Sequence, residues 1–235
     1  MSRKLQMYID GTWVDSVSGQ TREIINPFDS SVIAVAAEGN RNDAKKAITA
    51  ARRAFDEGEW ATRPASERGN LVYKLARLIE RDREELAELE SLDTGKTMEE
   101  SRWDMDDIAG IFLYYAGLAD KDAGEVIASP VSGTSSTVVR EPVGVCGQIS
   151  PWNYPLLQAA WKLAPALVAG CSVVMKPSEI TPMTTIKVTE LAEEAGFPAG
   201  VINTILGVGS ETGAELAESH DVDLISFTGG IETGK

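Results

Sequence analysis

A chain of 235 residues, 43% hydrophobic and 25% charged, has the composition of an ordinary globular protein and length for one large domain or two small ones. Its 36 acidic against 22 basic residues leave a formal charge of −14, which argues against nucleic acid and other polyanions as partners. The single histidine, His220, rules out a zinc centre built on several imidazoles and leaves any histidine-based triad resting on one residue.

The N-terminal stretch "MSRKLQMYIDGTW" has no apolar core of signal-peptide length, and no later run is long and apolar enough to span a membrane. A cytoplasmic protein without a membrane partner is therefore expected. Residues 8 to 36 carry short extended pieces, "MYIDGTWVDS" and "EIINPFDSSVIAVAA", punctuated by Gly and Asn-Pro, which predicts hairpins or edge strands. In "NDAKKAITAARRAFDEG" the spacing of Ala44, Ala47, Ile48, Ala51 and Phe55 predicts an amphipathic helix, with Asn42 as its N-cap and Gly58 as its stop. "SERGNLVYKLARLIERDREELAELES" predicts a second, capped by Ser66, carrying Leu71, Leu75, Leu78 and Ile79 on one face and closed after the segment by Gly95. A third helix is predicted through "MEESRWDMDDIAGIFLYYAGLAD". Residues 124 to 142, rich in Gly, Ser, Pro and then β-branched residues, predict a β excursion from the helical body.

From residue 143 strands and helices alternate: "VGVCGQIS", "LLQAAWKLAPALVAG", "SVVMK", "TTIKVTELAEEAG", "VINTIL", "ETGAELAES", "DLISF". Short β-branched strands between helices indicate βαβ units and a parallel sheet buried on both faces. Two cysteines in this context, Cys146 and Cys171, read as small buried hydrophobes, neither a disulfide framework nor a metal cluster. Ligands of such sheets bind at the carboxyl ends of the strands, and there the chain places "SPWN", "KPSE", "GVGS" and "TGGIETG".

Those four loops, in the motifs "PWNYPLL", "MKPSE", "LGVGSETG" and "FTGG" and preceded by "LDTGKT", resemble the aldehyde dehydrogenase superfamily over essentially the whole chain, and within it most nearly the betaine aldehyde dehydrogenases. The resemblance implies an α/β fold: a truncated Rossmann-like, parallel-sheet cofactor domain at 1–123 and 143–235, with 124–142 as part of a bridging β-element used for subunit contacts. It implies NAD-dependent oxidation of an aldehyde, betaine aldehyde to glycine betaine, through a cysteine thiohemiacetal, with a small-molecule substrate and a homodimer or homotetramer. In the family the general-base Glu, within Glu-Leu-Gly-Gly-Lys, and the nucleophilic Cys lie further along than residue 235. The 235-residue chain alone is therefore expected to be inactive, and the alternative is a non-catalytic dinucleotide-binding or oligomerisation module.

Asn153 stands where a strand gives way to a helix. An amide there is either a helix N-cap or a donor to the oxygen of a reacting carbonyl, worth roughly 3 kcal/mol in a dry site; the resemblance implies the donor. It also implies a charge-relay role for Lys162, where a lysine whose stem lies on apolar surface is the alternative. Glu179 in "KPSE" has the chemistry to accept both hydroxyls of an adenosine ribose and repel a 2′-phosphate, which favours NAD; a loop capping a helix near Thr181 is the alternative. By resemblance Lys176 contacts the ribose, and the cofactor set extends to Ile149, Ser150, Pro151, Trp152, Pro177, Ser178, Gly209, Gly230, Ile231, Glu232 and Thr233. Gly207, Gly209 and Gly213 do not form the usual dinucleotide fingerprint, whereas Gly229 and Gly230 precede an expected helix start suited to pyrophosphate. Relatives often carry serine where Gly230 stands, which leaves backbone donors only. Tyr154 and Trp161 are seven apart, on one helical face; the resemblance makes them part of a box for trimethylammonium, and ordinary helix packing is the alternative. Asp93 is by resemblance a K+ or Na+ ligand with the carbonyls of Ile24, Ile25 and Ile180, and otherwise an acid near a helix end.

Overall fold

The structure is a computed structural model that describes residues 3–121 and 123–235. Five short strands open the chain: β1 (Arg3–Leu5), β2 (Met7–Ile9), β3 (Thr12–Val14), β4 (Thr21–Ile25) and β5 (Val32–Ala37). Helices α1 (Arg41–Asp56), α2 (Ala65–Arg81), α3 (Arg83–Thr94) and α4 (Met98–Leu118) follow, then β6 (Glu125–Ile127) and β7 (Ser136–Val138). The alternating half comprises β8 (Val145–Ile149), α5 (Pro155–Ala169), β9 (Ser172–Lys176), α6 (Met183–Ala195), β10 (Ile202–Thr204), a π-helical turn at Gly209–Gly213, α7 (Ala214–Glu218) and β11 (Leu224–Phe227).

The main sheet runs in the order β11-β8-β9-β10-β2-β3. Its first four strands are parallel, and the N-terminal hairpin extends them, β2 pairing antiparallel to β10 and β3 antiparallel to β2. The parallel half of that sheet is what the strand–helix alternation predicts. Successive side chains of a strand face opposite sides, so Cys146, Val173 and Met175 enter a core with Leu75, Phe112, Leu156 and Leu163, while Val145 and Val174 enter another with Met7, Ala47 and Ile48. A second sheet, β1-β5-β4, packs into the latter core. Ile149 stands level with Lys176 on one side and Phe227 on the other, so three strands end on one line.

Several helix ends differ from expectation. Helix α1 is capped by Asn40 through a capping box with Asp43, and not by Asn42, because Asn40 has the extended backbone a cap requires and its side chain accepts from Asn42 N. It ends at Asp56, short of Gly58. Ser66 lies inside the first turn of α2, whose start follows Pro64. The pattern from 66 to 91 forms two helices, interrupted at Asp82, and Gly95, at φ 78°, closes the second. Helix α4 starts at a Thr97–Glu100 capping box and ends at Leu118. The helix beginning near Thr181 begins at Met183. After Gly230 there is one hydrogen-bonded turn, in which Thr233 N and Gly234 N donate to Gly230 O, where a helix start was expected.

β6 and β7 pair with each other as an exposed antiparallel ribbon. Among the described residues no helix is long and apolar enough to cross a membrane.

Candidate functional site

The level ends of β8, β9 and β11 place three loops side by side, and the loop after β10 joins them around a cleft of about 500 Å³. The loop after β8 contributes Ser150, Pro151, Trp152 and Asn153, following Ile149 at the strand end; that after β9 contributes Ser178 and Glu179, following Lys176; that after β10 contributes Gly209. Phe227, Thr228, Gly229, Gly230 and Thr233 complete the lining. Of the residues singled out for a cofactor, only Pro177, Ile231 and Glu232 do not line it. The carbonyl of Pro177 nonetheless accepts from Lys176 Nζ at 2.9 Å, whereas Ile231 is 77% exposed.

Hydrogen bonds fix these loops to the sheet. Ser150 N donates to Lys176 O at 3.1 Å and Thr228 N to Ile149 O at 3.1 Å, which carries the ladder past the strand ends. Lys176 is 2% exposed. Burial pushes its ammonium below the usual lysine range, and the Glu179 carboxylate, 3.5 Å away, opposes that shift. Glu179 itself is partly exposed, so a buried cation and a reachable carboxylate meet at one strand end.

Lys162 projects from α5 with its Nζ donating to Thr228 Oγ1 at 2.7 Å and Gln158 O at 3.2 Å, which bridges the helix to the loop after β11. Burial pushes it, too, below its ordinary value. Gln148 Nε2 donates to Lys162 O at 2.8 Å from beneath. The lysine is therefore buried and bonded, unlike a surface lysine with a solvated head.

Asn153 caps no helix. The N-cap of α5 is Tyr154, in the left-handed conformation at φ 52°, and no side-chain cap bond is made there; Pro155 supplies the first helical position, where its missing N–H is not needed. The side chain of Asn153 is exposed and lines both the main cleft and an adjoining hollow of about 260 Å³ shared with Thr94, Gly95, Lys96, Glu100, Trp152 and Tyr154. Tyr154 and Trp161, expected on one helical face, do not share one: Tyr154 stands outside α5 as its left-handed N-cap, and the two open onto different hollows. Trp161 borders one of about 520 Å³ between α4 and α5, with Asp106, Asp107, Tyr114 and Leu157.

Asp93 is 3% exposed; its Oδ2 accepts from Met183 N at 2.8 Å, and its Oδ1 is buried with no hydrogen-bond partner. Burial pushes this carboxyl well above the usual range. Ile24 and Ile25 flank a register shift in β4, and Ile180 lies in the loop after β9. Among the described residues no group of three or more His, Cys, Asp or Glu is placed to hold a metal ion; a hard monovalent cation on one carboxylate and carbonyl oxygens is a different donor set, and the orphaned Oδ1 fits it. Cys146 and Cys171 are free thiols, 4% and 3% exposed, and neither borders the cleft. His220 is exposed on the turn after α7.

Sequence reasoning missed Thr228, the acceptor for Lys162, and a buried group around Lys96. Lys96 bonds Asp104 and Glu90, and Glu90 accepts from Thr184 Oγ1 at 2.7 Å. A legible signal existed for Glu90, an acid on the same buried stripe as Leu86, Ala87 and Leu89.

Comparison with known proteins adds an independent line. The model of the aldehyde dehydrogenase family matches residues 13–235. The chain is 66% identical over 229 residues to a betaine aldehyde dehydrogenase of Bacillus subtilis, covering 97% of this chain and 47% of that protein. It is 49% identical over 233 residues to a mitochondrial aldehyde dehydrogenase of Homo sapiens, covering 98% and 45%. A crystal structure of betaine aldehyde dehydrogenase from Staphylococcus aureus in complex with NAD+ superposes with a TM-score of 0.96 at 61% identity, over 97% of this chain and 46% of that one. The chain thus spans about half the length of each relative. On the family match, and on a parallel sheet whose loops meet where the sequence motifs place them, the chain belongs to the aldehyde dehydrogenase family.

Proposed function

We propose that this chain forms the cofactor-holding part of an NAD-dependent aldehyde dehydrogenase whose substrate is betaine aldehyde, oxidised to glycine betaine, or a closely similar cationic aldehyde. The observation that carries the reading is the convergence of loops from four separate parallel strands on one cleft, with the Lys176–Glu179 pair and Asn153 both on its wall. Glu179 accepts the ribose hydroxyls and Lys176, held by Pro177 O, adds a donor beside them. Bound NAD would supply the hydride acceptor. Asn153 donates its amide N–H to the aldehyde oxygen as that oxygen gains negative charge, and Lys162 orients the loop at Thr228. Trp161 offers a ring face beside Asp106 and Asp107, a setting that suits a cation. Residues 1–123 and 143–235 act as the cofactor domain, the nucleophilic Cys and the general base belong to the family's later sequence, and the two buried thiols fit work in the reducing cytoplasm. The 124–142 ribbon, with Val126 81% and Val139 71% exposed, makes the contact of a homodimer or homotetramer.

The test is NADH formation by the full-length enzyme, offered betaine aldehyde and neutral aldehydes of similar size. Preference for the cationic substrate, from an enzyme that sediments as a dimer or tetramer, is expected; preference for neutral aldehydes refutes the substrate assignment.

A K+ or Na+ ion at Asp93, with the carbonyls of Ile24, Ile25 and Ile180, belongs to the same reading. A buried carboxyl whose folded pKa is raised holds its proton more tightly in the native state, so its ionisation costs stability as pH rises from the ordinary carboxylate range toward the raised value. A cation bound there removes that cost. At pH 8, K+ at tenfold its dissociation constant should stabilise by about 1.4 kcal/mol, a rise in Tm of roughly 2–4 °C over the same concentration of Li+. Equal Tm values for the wild type in the two salts, or an undiminished difference in Asp93→Asn, would remove the site.

A further inference from the structure

The buried group around Lys96 has no part in the function as described so far. Lys96 lies in the loop between α3 and α4 with its side chain 14% exposed. Its Nζ is 2.5 Å from Asp104 Oδ2 on α4 and 3.4 Å from Glu90 Oε1 on α3. Those carboxylates are 9% and 0% exposed, and Thr184 of α6 secures the far oxygen of Glu90. A lysine so held has little freedom: two buried anions from different helices set where its ammonium stands, and removing the cation would leave both without their counter-charge.

The same ammonium stands 4.2 Å from the centroid of the Tyr154 ring. That ring belongs to the one residue of the site loops whose backbone is left-handed without being glycine. Such a conformation is costly for a non-glycine residue and persists where the surroundings hold it in place. The side chain of Tyr154 makes no cap bond, and its carbonyl accepts from Gln158 N as the first bond of α5. The cation–ring contact thus ties the side chain at this turn to the buried Lys96 group, and the residue immediately before Tyr154 is Asn153.

We propose that Lys96 is a positioning residue for the aldehyde site: clamped by Asp104 and Glu90, its ammonium holds one face of the Tyr154 ring, keeps the Tyr154 backbone left-handed and so aims the amide of the adjoining Asn153. One ring face is thereby taken, and a cationic substrate meets only the other. This rests on the aldehyde reading of the cleft, although the contact it invokes stands without it.

The experiment is a double-mutant cycle in the full-length enzyme with Lys96→Met and Tyr154→Leu, together with Lys96→Arg. Lys96→Met should lower kcat by about ten- to a hundredfold while the dissociation constant of NAD stays within about twofold. Lys96→Arg, which keeps a cation over the ring, should recover most of that loss. In the Tyr154→Leu background Lys96→Met should change kcat by less than about twofold, because its target is already gone. Equal losses in both backgrounds would mean that Lys96 acts through the fold alone, and would overturn the proposal. Where Lys96→Met fails to fold, Asp104→Asn loosens the same ammonium and is read through the same cycle. A crystal structure of whichever variant folds should show the Tyr154 ring displaced and its φ relaxed; a ring and φ unchanged from φ 52° would overturn the proposal whatever the kinetics. That readout needs no turnover, so a wild type that oxidises no aldehyde would refute the functional reading and leave Lys96 to be decided by the structure.

Discussion

Asn153→Ala in the full-length enzyme should lower kcat by about 10²–10³-fold, in the range seen when one oxyanion donor is removed, with little change in NAD affinity or in stability. The three parts of that expectation have separate physical grounds. The kcat term follows from charge: attack on an aldehyde turns its carbonyl oxygen into an alkoxide, and a preorganised amide N–H strengthens its bond as that charge grows, so the loss falls on the transition state and not on substrate binding. The stability term follows from Asn153 making no cap bond while Pro155 starts α5 without a donor to satisfy, so truncation leaves the helix terminus as it was; a change within about 0.5 kcal/mol is expected of such a surface position. The cofactor term follows from geometry, since Lys176 and Glu179 are reached from a different strand end. Asn153→Asp should be worse than alanine, because a carboxylate beside a forming alkoxide repels it. Steady-state kinetics beside urea denaturation of the same variants decide the matter. A kcat within about threefold of wild type, or a loss that tracks unfolding, would return Asn153 to a bystander at the mouth of the cleft.

How much of this was legible beforehand depended on whether a residue's role is set locally or by what packs on it. The parallel sheet was legible because β8 and β9 are short, apolar and separated by a helix, and the registers of Ile149 with Lys176 and Phe227 follow once βαβ units are accepted. The convergence of four loops was legible for the same reason, since every strand end carried the unusual residues. Cap positions were less so: Asn40 and Asn42 are both good caps by type, and only the extended backbone at Asn40, together with Asp43 three residues on, selects the first. For Asn153 the residues alone left cap and donor open and only the resemblance favoured the donor; the cap is excluded by the left-handed backbone of Tyr154, which local pattern does not announce. Lys96 was invisible for a similar reason. Its partners Glu90 and Asp104 lie six residues before and eight after it, on two helices, and its ring partner is 58 residues away; no local period joins them. The N-terminal hairpin's place at the edge of the main sheet, where β2 pairs with β10, is again a long-range pairing that strand propensity does not specify.

Replacing Glu179 with glutamine should raise kcat/KM for NADP by about 10- to 100-fold while raising KM for NAD by a factor of a few. A 2′-phosphate brought to the carboxylate adds a like charge at close range in a site only partly open to water. Such juxtaposition costs up to several kcal/mol, and each 1.4 kcal/mol is tenfold. Glutamine keeps an acceptor for one ribose hydroxyl and offers a donor to phosphate, so the change removes repulsion more than it removes binding. Lys176 adds a second signature that a mere enlargement of the pocket would not produce. Its ammonium is pushed down by burial and held up by Glu179; without that carboxylate it loses its proton at lower pH. If the charged lysine binds the ribose, NAD affinity in Glu179→Gln should begin to fall at a lower pH than in wild type as pH rises, and NADP, whose phosphate restores an anion near Nζ, should suffer the shift less. Titrating cofactor binding by fluorescence from pH 6 to 10 for both proteins and both cofactors reads the effect. A variant that still refuses NADP would show that the carboxylate on the wall of this cleft does not face the adenosine ribose, and coincident pH profiles would show that the charged Lys176 does not bind the cofactor.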